Sequence, residues 1–190
     1  TRNLYICRLY RKELLNRLAN LFILTLTALI RVMFHTQEKR TLRLTDPIRC
    51  VRRDAWLGKG FYFWDDLEDA VQWGRQAKRP KYEIYQAEID CDNVLDTVFN
   101  EEHYRFWVKQ IETVTKILEE KTGRKPHVHE VYSYFDSRLT WFQQLSGLMF
   151  SDSPTSRPKL YIRPHEPLAY RKRIQLAVYD LRIMQTFTFH

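Results

Sequence analysis

Apolar and polar residues alternate between residues 28 and 36. Ile30, Val32 and Phe34 fall on one side of an extended chain, and Arg31, Met33 and His35 on the other. That period of two predicts a strand. "GFYFW" (60–64) reads as a short aromatic strand and "YEIYQAEID" (82–90) as a longer alternating one. Between them, "DDLEDAVQWG" predicts a helix opened by an aspartate cap and closed by Gly74. Further on, Tyr104, Trp107, Val108, Ile111, Val114 and Leu118 recur at helical spacing, marking one face of a long helix from Asn100 to near Gly123. A second helix is expected from about His129 to Leu145. Four prolines within residues 151–167 predict a loop, and residues 173–189 one or two closing strands.

Strands at both ends with helices between them imply an α+β fold. No repeat or linker divides residues 1–190, so a single domain is expected, with an N-terminal helical and apolar segment over 1–27 and a helical insertion over 100–147. Leu14, Leu18 and Leu21 suggest an amphipathic helix leading into "LANLFILTLTALI" (18–30). This uncharged run falls short of the roughly 20 residues a spanning helix needs. It is therefore expected as a buried core segment and no membrane span is predicted. No small-residue cleavage site follows it, which argues against a signal peptide.

Composition adds charge to this picture. Hydrophobic residues at 44% mark a globular chain, and the net charge of +8 is segregated, with +9 in residues 1–60, −7 in 61–120 and +6 in 121–190. Such a distribution favours an anionic partner, nucleic acid or an acidic protein, at the basic parts. Cys7, Cys50 and Cys91 share no metal-ligand spacing, so a disulfide framework and a structural zinc are excluded and a reducing cytoplasm is inferred. His127 and His129 are weak metal candidates, and no metal is expected.

No P-loop or Rossmann spacing surrounds "GKG", and no serine sits in a nucleophile elbow. What remains is an ordered set. His35-Thr36 ends the first strand. Gly58-Lys59-Gly60-Phe61-Tyr62-Phe63 follows, with Ala70 in the helix behind it, and Gln175-Leu176-Ala177-Val178-Tyr179-Asp180 lies in a late strand. In order and type this set resembles the His–Tyr–Glu branch of the ADP-ribosyltransferase fold, the diphtheria-toxin-like and poly(ADP-ribose) polymerase-like proteins. Their motifs read "H-G-T", "G-x-G-F/I-Y-F/L" and "E-Y-I-V-Y-D".

The resemblance implies a split sheet with an NAD cleft, NAD serving as co-substrate. His35 would bond ribose hydroxyls and Tyr62 lie against the nicotinamide face. Thr36, Gly58, Gly60 and Phe61 would complete the NAD site, the glycines letting backbone approach the ligand. Gln175 stands where the family has a catalytic glutamate. Glutamine can hydrogen-bond a hydroxyl but cannot act as a base, so either it suffices, or Glu166 or Glu130 enters the cleft, or the protein binds without turnover. The implied activity is mono-ADP-ribosyl transfer by a cytoplasmic toxin of a toxin–antitoxin or antiphage system. Arg40, Arg43, Arg49, Arg52 and Arg53 suit a pyrophosphate or nucleic-acid backbone, with Arg49, Arg52 and Arg53 as substrate contacts, and Trp56 and Trp64 are placed to stack a base. An RNA or DNA acceptor is weighted slightly above protein. An antitoxin or chaperone is the expected partner of the apolar N-terminal or helical segments. The rivals are a non-catalytic binding module and an NAD-dependent RNA 2′-phosphotransferase, whose Arg/His phosphate set is not found in this chain.

Overall fold

A computed structural model describes residues 29–76, 81–152, 159–163, 166–169 and 173–190. The expected 1–27 segment lies outside them. Leu29 and Ile30, the described end of the apolar run expected to be buried, are about half exposed.

The alternating stretches form strands where the pattern places them: β1 Ile30–Glu38, β2 Phe61–Trp64 and β3 Tyr82–Asp90. Helix α1, Leu67–Gln76, joins β2 to β3. Asp66 caps it, its Oδ1 accepting from the Glu68 amide at 2.7 Å. Gly74 does not close this helix but lies inside it. The Tyr82 ring packs so tightly there that Cγ is 2.6 Å from where a Cβ would stand, so glycine is needed for contact rather than for chain reversal.

After β4, Val94–Asp96, helix α2 runs Glu101–Thr122. Asn100 Oδ1 accepts from the Glu102 and His103 amides at 3.0 and 3.1 Å, and Gly123 ends the helix at φ 72°. The second expected helix is broken in two, α3 Val128–Arg138 and α4 Thr140–Gln143, with Leu139 extended between them. The break turns Phe142 onto Tyr132, Phe135 and Tyr179.

The expected proline loop is also corrected. β5 spans Gly147–Asp152, and β6 Lys159–Arg163 pairs with β7 Glu166–Ala169 in a separate hairpin. A two-stranded ribbon has free edges on which a missing proline N–H costs no ladder bond. β8 Arg173–Val178 and β9 Met184–Phe189 close the chain, with a 3-10 turn over Leu181–Ile183 between them.

The seven-stranded mixed sheet has the order β4-β5-β8-β2-β1-β3-β9, parallel only between β4 and β5. One core, with Met33, Phe63, Ile89 and Leu176, covers one face. On the other, α2, α3 and α4 contribute Val114, Val131, Phe135 and Phe142 to a cluster with Leu148 and Ala177, while α1 packs Ala70 on Trp64. Helices α2, α3 and α4 thus lie on the β5–β8 half of the sheet. β1 pairs with β3 along its whole length but meets β2 at one position only, Phe34 opposite Trp64. The sheet therefore parts between β1 and β2. No helix of the described residues is long and apolar enough to cross a membrane.

Candidate functional site

A cleft of about 900 Å³ opens at the seam, lined by His35 and Thr36 of β1, Tyr62 and Trp64 of β2, Gln175 of β8, and residues of the arginine-rich loop that joins β1 to β2. Its size is at the upper end for a small-molecule site.

His35 is 4% exposed. Its Nδ1 lies 2.8 Å from the Tyr62 carbonyl. A carbonyl only accepts, so Nδ1 carries the proton and Nε2 is left as an acceptor. That Nε2 is buried and makes no hydrogen bond of good geometry to a described residue, although the Gln37 side chain is close enough to act on the ring. Phe63 and Phe187 flank the ring at 5.4 and 6.0 Å. Strand alternation puts Tyr62 on the face opposite Phe63, so the His35 ring, beside Phe63 and Phe187, and the Tyr62 ring lie on opposite faces of the sheet, and both residues line the cleft.

Burial holds the His35 pKa below its ordinary value, the Tyr62 carbonyl and the Gln37 side chain opposing the shift. Unfolded histidine titrates near 6.5, so below that pH the unfolded chain binds a proton the folded chain refuses. His35 therefore subtracts stability as pH falls from 7 towards its folded pKa. His103, also lowered by burial, acts in the same direction. Urea midpoints at pH 7.5 and 5.5 should differ less in His35→Phe than in the wild type, and an unchanged gap would contradict a neutral buried ring.

The Tyr62 hydroxyl donates to the Gly58 carbonyl at 2.7 Å and accepts from the Leu57 amide at 3.2 Å. Burial pushes its pKa up, so the phenol stays protonated. The ring is thereby fixed while its hydroxyl is already committed. Gly58 has φ 81°, and a Cβ on it would lie 3.2 Å from the Tyr132 ring. A Cβ on Gly60 would lie 2.9 Å from the Val178 carbonyl. The glycines serve close packing of the protein against itself. Neither they nor Phe61 line the cleft, as the family resemblance implied they would. Phe61 packs against the Met33 core instead. Thr36 does line it, with its hydroxyl donating to the Ala70 carbonyl at 2.8 Å, which ties α1 to β1.

Gln175 is 4% exposed and sits opposite Trp64 in register. Its Oε1 accepts from the Trp56 indole Nε1 at 3.0 Å. Glu130, one of the carboxylates considered for this position, is held elsewhere by Arg124 at 2.6 Å and by the His127 amide at 2.7 Å. Arg124 keeps its carboxyl down at about 2. The Glu166 side chain lies outside the described residues.

The five loop arginines divide. Arg40, Arg49 and Arg52 line the cleft. Arg52 is held by Asp54 at 2.9 Å, Arg43 stacks on Phe189 at 3.9 Å, and Arg53 reaches His129 at 3.3 Å. Trp64, 2% exposed, is core rather than a free stacking surface, whereas Trp73 on α1 lines the cleft and is 41% exposed. Sequence reading passed over Trp73, whose only signal was an aromatic on the helix following Tyr62. Among the described residues no cluster of His, Cys, Asp and Glu could hold a metal ion.

Comparison with protein-family models, curated proteins and solved structures gives no match. The geometry of the cleft therefore carries the functional argument.

Proposed function

We propose that the cleft binds NAD and that the protein transfers ADP-ribose from it to a macromolecular acceptor, nucleic acid in preference to protein. The observation that carries this reading is the convergence of His35, Tyr62 and Gln175, from three different strands, on one cleft. Two side chains in its wall keep hydrogen-bonding capacity that the described residues do not use, in complementary ways. His35 Nε2 offers an acceptor, and the Gln175 amide nitrogen offers donors because its oxygen is taken by Trp56. A buried acceptor such as Nε2 normally has a partner, and a ribose or a carboxamide supplies both an acceptor and a donor.

NAD contributes a nicotinamide–ribose bond whose electron pair leaves with neutral nicotinamide, so that an acceptor oxygen or nitrogen bonds the freed ribose carbon and gives up its proton to solvent. In this reading the Tyr62 ring gives the nicotinamide a flat, dry wall, and His35 Nε2 accepts from a ribose hydroxyl. Arg40 and Arg49, exposed at the rim without an ion pair to any described residue, suit phosphate oxygens of NAD or of a polynucleotide. Gln175 is neutral and extracts no proton, so the acceptor brings its own nucleophilicity. Such an activity, unrestrained, consumes NAD and marks essential molecules, which suits a toxin of a toxin–antitoxin or antiphage system.

Incubation of the protein with NAD labelled in its adenylate half, together with RNA, DNA and lysate protein, tests the reading. Label on a polynucleotide is expected. Label on protein alone overturns the acceptor preference. NAD binding with no nicotinamide release favours the second reading, a binding module, for which the absence of a carboxylate at position 175 is the specific support.

A further inference from the structure

We infer that Trp56 is a positioning residue that locks Gln175 as a hydrogen-bond donor, so that the ligand atom set against it is an acceptor oxygen. An indole N–H can only donate, so the Gln175 atom 3.0 Å from Trp56 Nε1 is the carbonyl oxygen, whichever way an unconstrained amide would turn. The amide nitrogen then points away from Trp56 with two donors, and no described residue accepts from it. Gln175 is nevertheless 4% exposed and belongs to the cleft wall. The nitrogen is not among the buried atoms that lack a partner, so it meets the open cleft, where water, or a ligand oxygen that displaces it, accepts from it.

The lock is braced from behind. Phe150 pairs with Gln175 across β5 and β8, and its ring meets Trp56 edge-on at 5.2 Å. Trp107 of α2 packs on the same Phe150 at 4.7 Å. The helical insertion thereby holds the indole, and the indole holds the amide. Trp56 also belongs to the loop that joins β1 to β2, four residues after Arg52. A carboxylate at position 175 would accept from a ligand hydroxyl, whereas the locked amide donates to a ligand lone pair. Ligand selection at this point is reversed.

The ligand half of this inference rests on the NAD reading, and the lock itself does not. In nitrogen–proton spectra the Trp56 indole N–H, identified by its loss in Trp56→Phe, should exchange with solvent at least about tenfold more slowly in the wild type than in Gln175→Leu. Equal rates overturn the lock whatever NAD does. NAD titration and nicotinamide release then test the ligand side. Trp56→Phe should raise KM for NAD by about three- to tenfold, the worth of one oriented hydrogen bond, with kcat changing less than KM. A general structural defect would instead lower kcat with it, and an unchanged KM would remove the positioning role. Gln175→Glu keeps an acceptor for the indole, so slow exchange should persist while NAD affinity falls about tenfold or more as an anion replaces the donors. Affinity equal to or above wild type in Gln175→Glu overturns the acceptor-oxygen assignment. Absence of NAD binding by the wild type overturns the NAD reading and the ligand half with it, leaving the exchange result to decide the lock.

Discussion

Tyr62→Ala and His35→Ala should each reduce nicotinamide release by about a hundredfold or more, the scale at which loss of a positioned catalytic-site group is felt. The two losses differ in origin. Tyr62→Ala removes the wall of the cleft and frees the Gly58 carbonyl and Leu57 amide that its hydroxyl joins. Tyr62→Phe separates these effects. It keeps the ring and gives up the hydroxyl, so most release should survive while stability drops by about 1 kcal/mol. His35→Ala removes both the orphan Nε2 and the Nδ1 bond that crosses the seam to the Tyr62 carbonyl. Liquid chromatography of nicotinamide, with a thermal melt of each variant, provides the check. Near-wild-type release from either folded alanine variant would refute a shared catalytic site.

Phe135→Ala should be the most damaging substitution for stability. Phe135 is fully buried, with Trp141 and Phe142 each 5.4 Å away and Tyr132 at 5.6 Å. Removing a ring from such a site costs about 3–5 kcal/mol, which for a chain of this size lowers Tm by on the order of 10 °C. Its cluster includes Ala177 of β8 and borders Tyr62. The helices and the sheet should therefore melt together, in one transition displaced as a whole. A melt in which a helical phase moves alone, leaving the sheet transition where it was, would contradict this shared core.

The elements legible in the sequence were those with a sustained period. Met33 and His35 alternate with Val32 and Phe34 along nine residues of β1, and β3 is as long. β4 is three residues, too short to show a period, and β5 begins at Gly147, which hides its strand character. That glycine is there because a Cβ would lie 2.9 Å from the Ala177 carbonyl of the neighbouring strand. Gly58 and Gly60 illustrate the limit from the other direction. Two glycines before an aromatic strand look alike whether they admit a ligand or a neighbouring ring. Only the positions of Tyr132 and the Val178 carbonyl show which. His35, Tyr62 and Gln175 were legible as an ordered set. Their partners were not, because Trp56 meets Gln175 across 119 positions of chain, and no local pattern records such a contact.

The central claim is that one NAD molecule occupies the cleft where the sheet parts. Three of the five tryptophans in the chain, Trp56, Trp64 and Trp73, line that cleft. Titration of NAD against intrinsic fluorescence therefore tests the claim most directly. The account predicts a large saturable change in the wild type that is lost in Tyr62→Ala. Fluorescence that stays flat up to millimolar NAD, or changes identically in Tyr62→Ala, would contradict it.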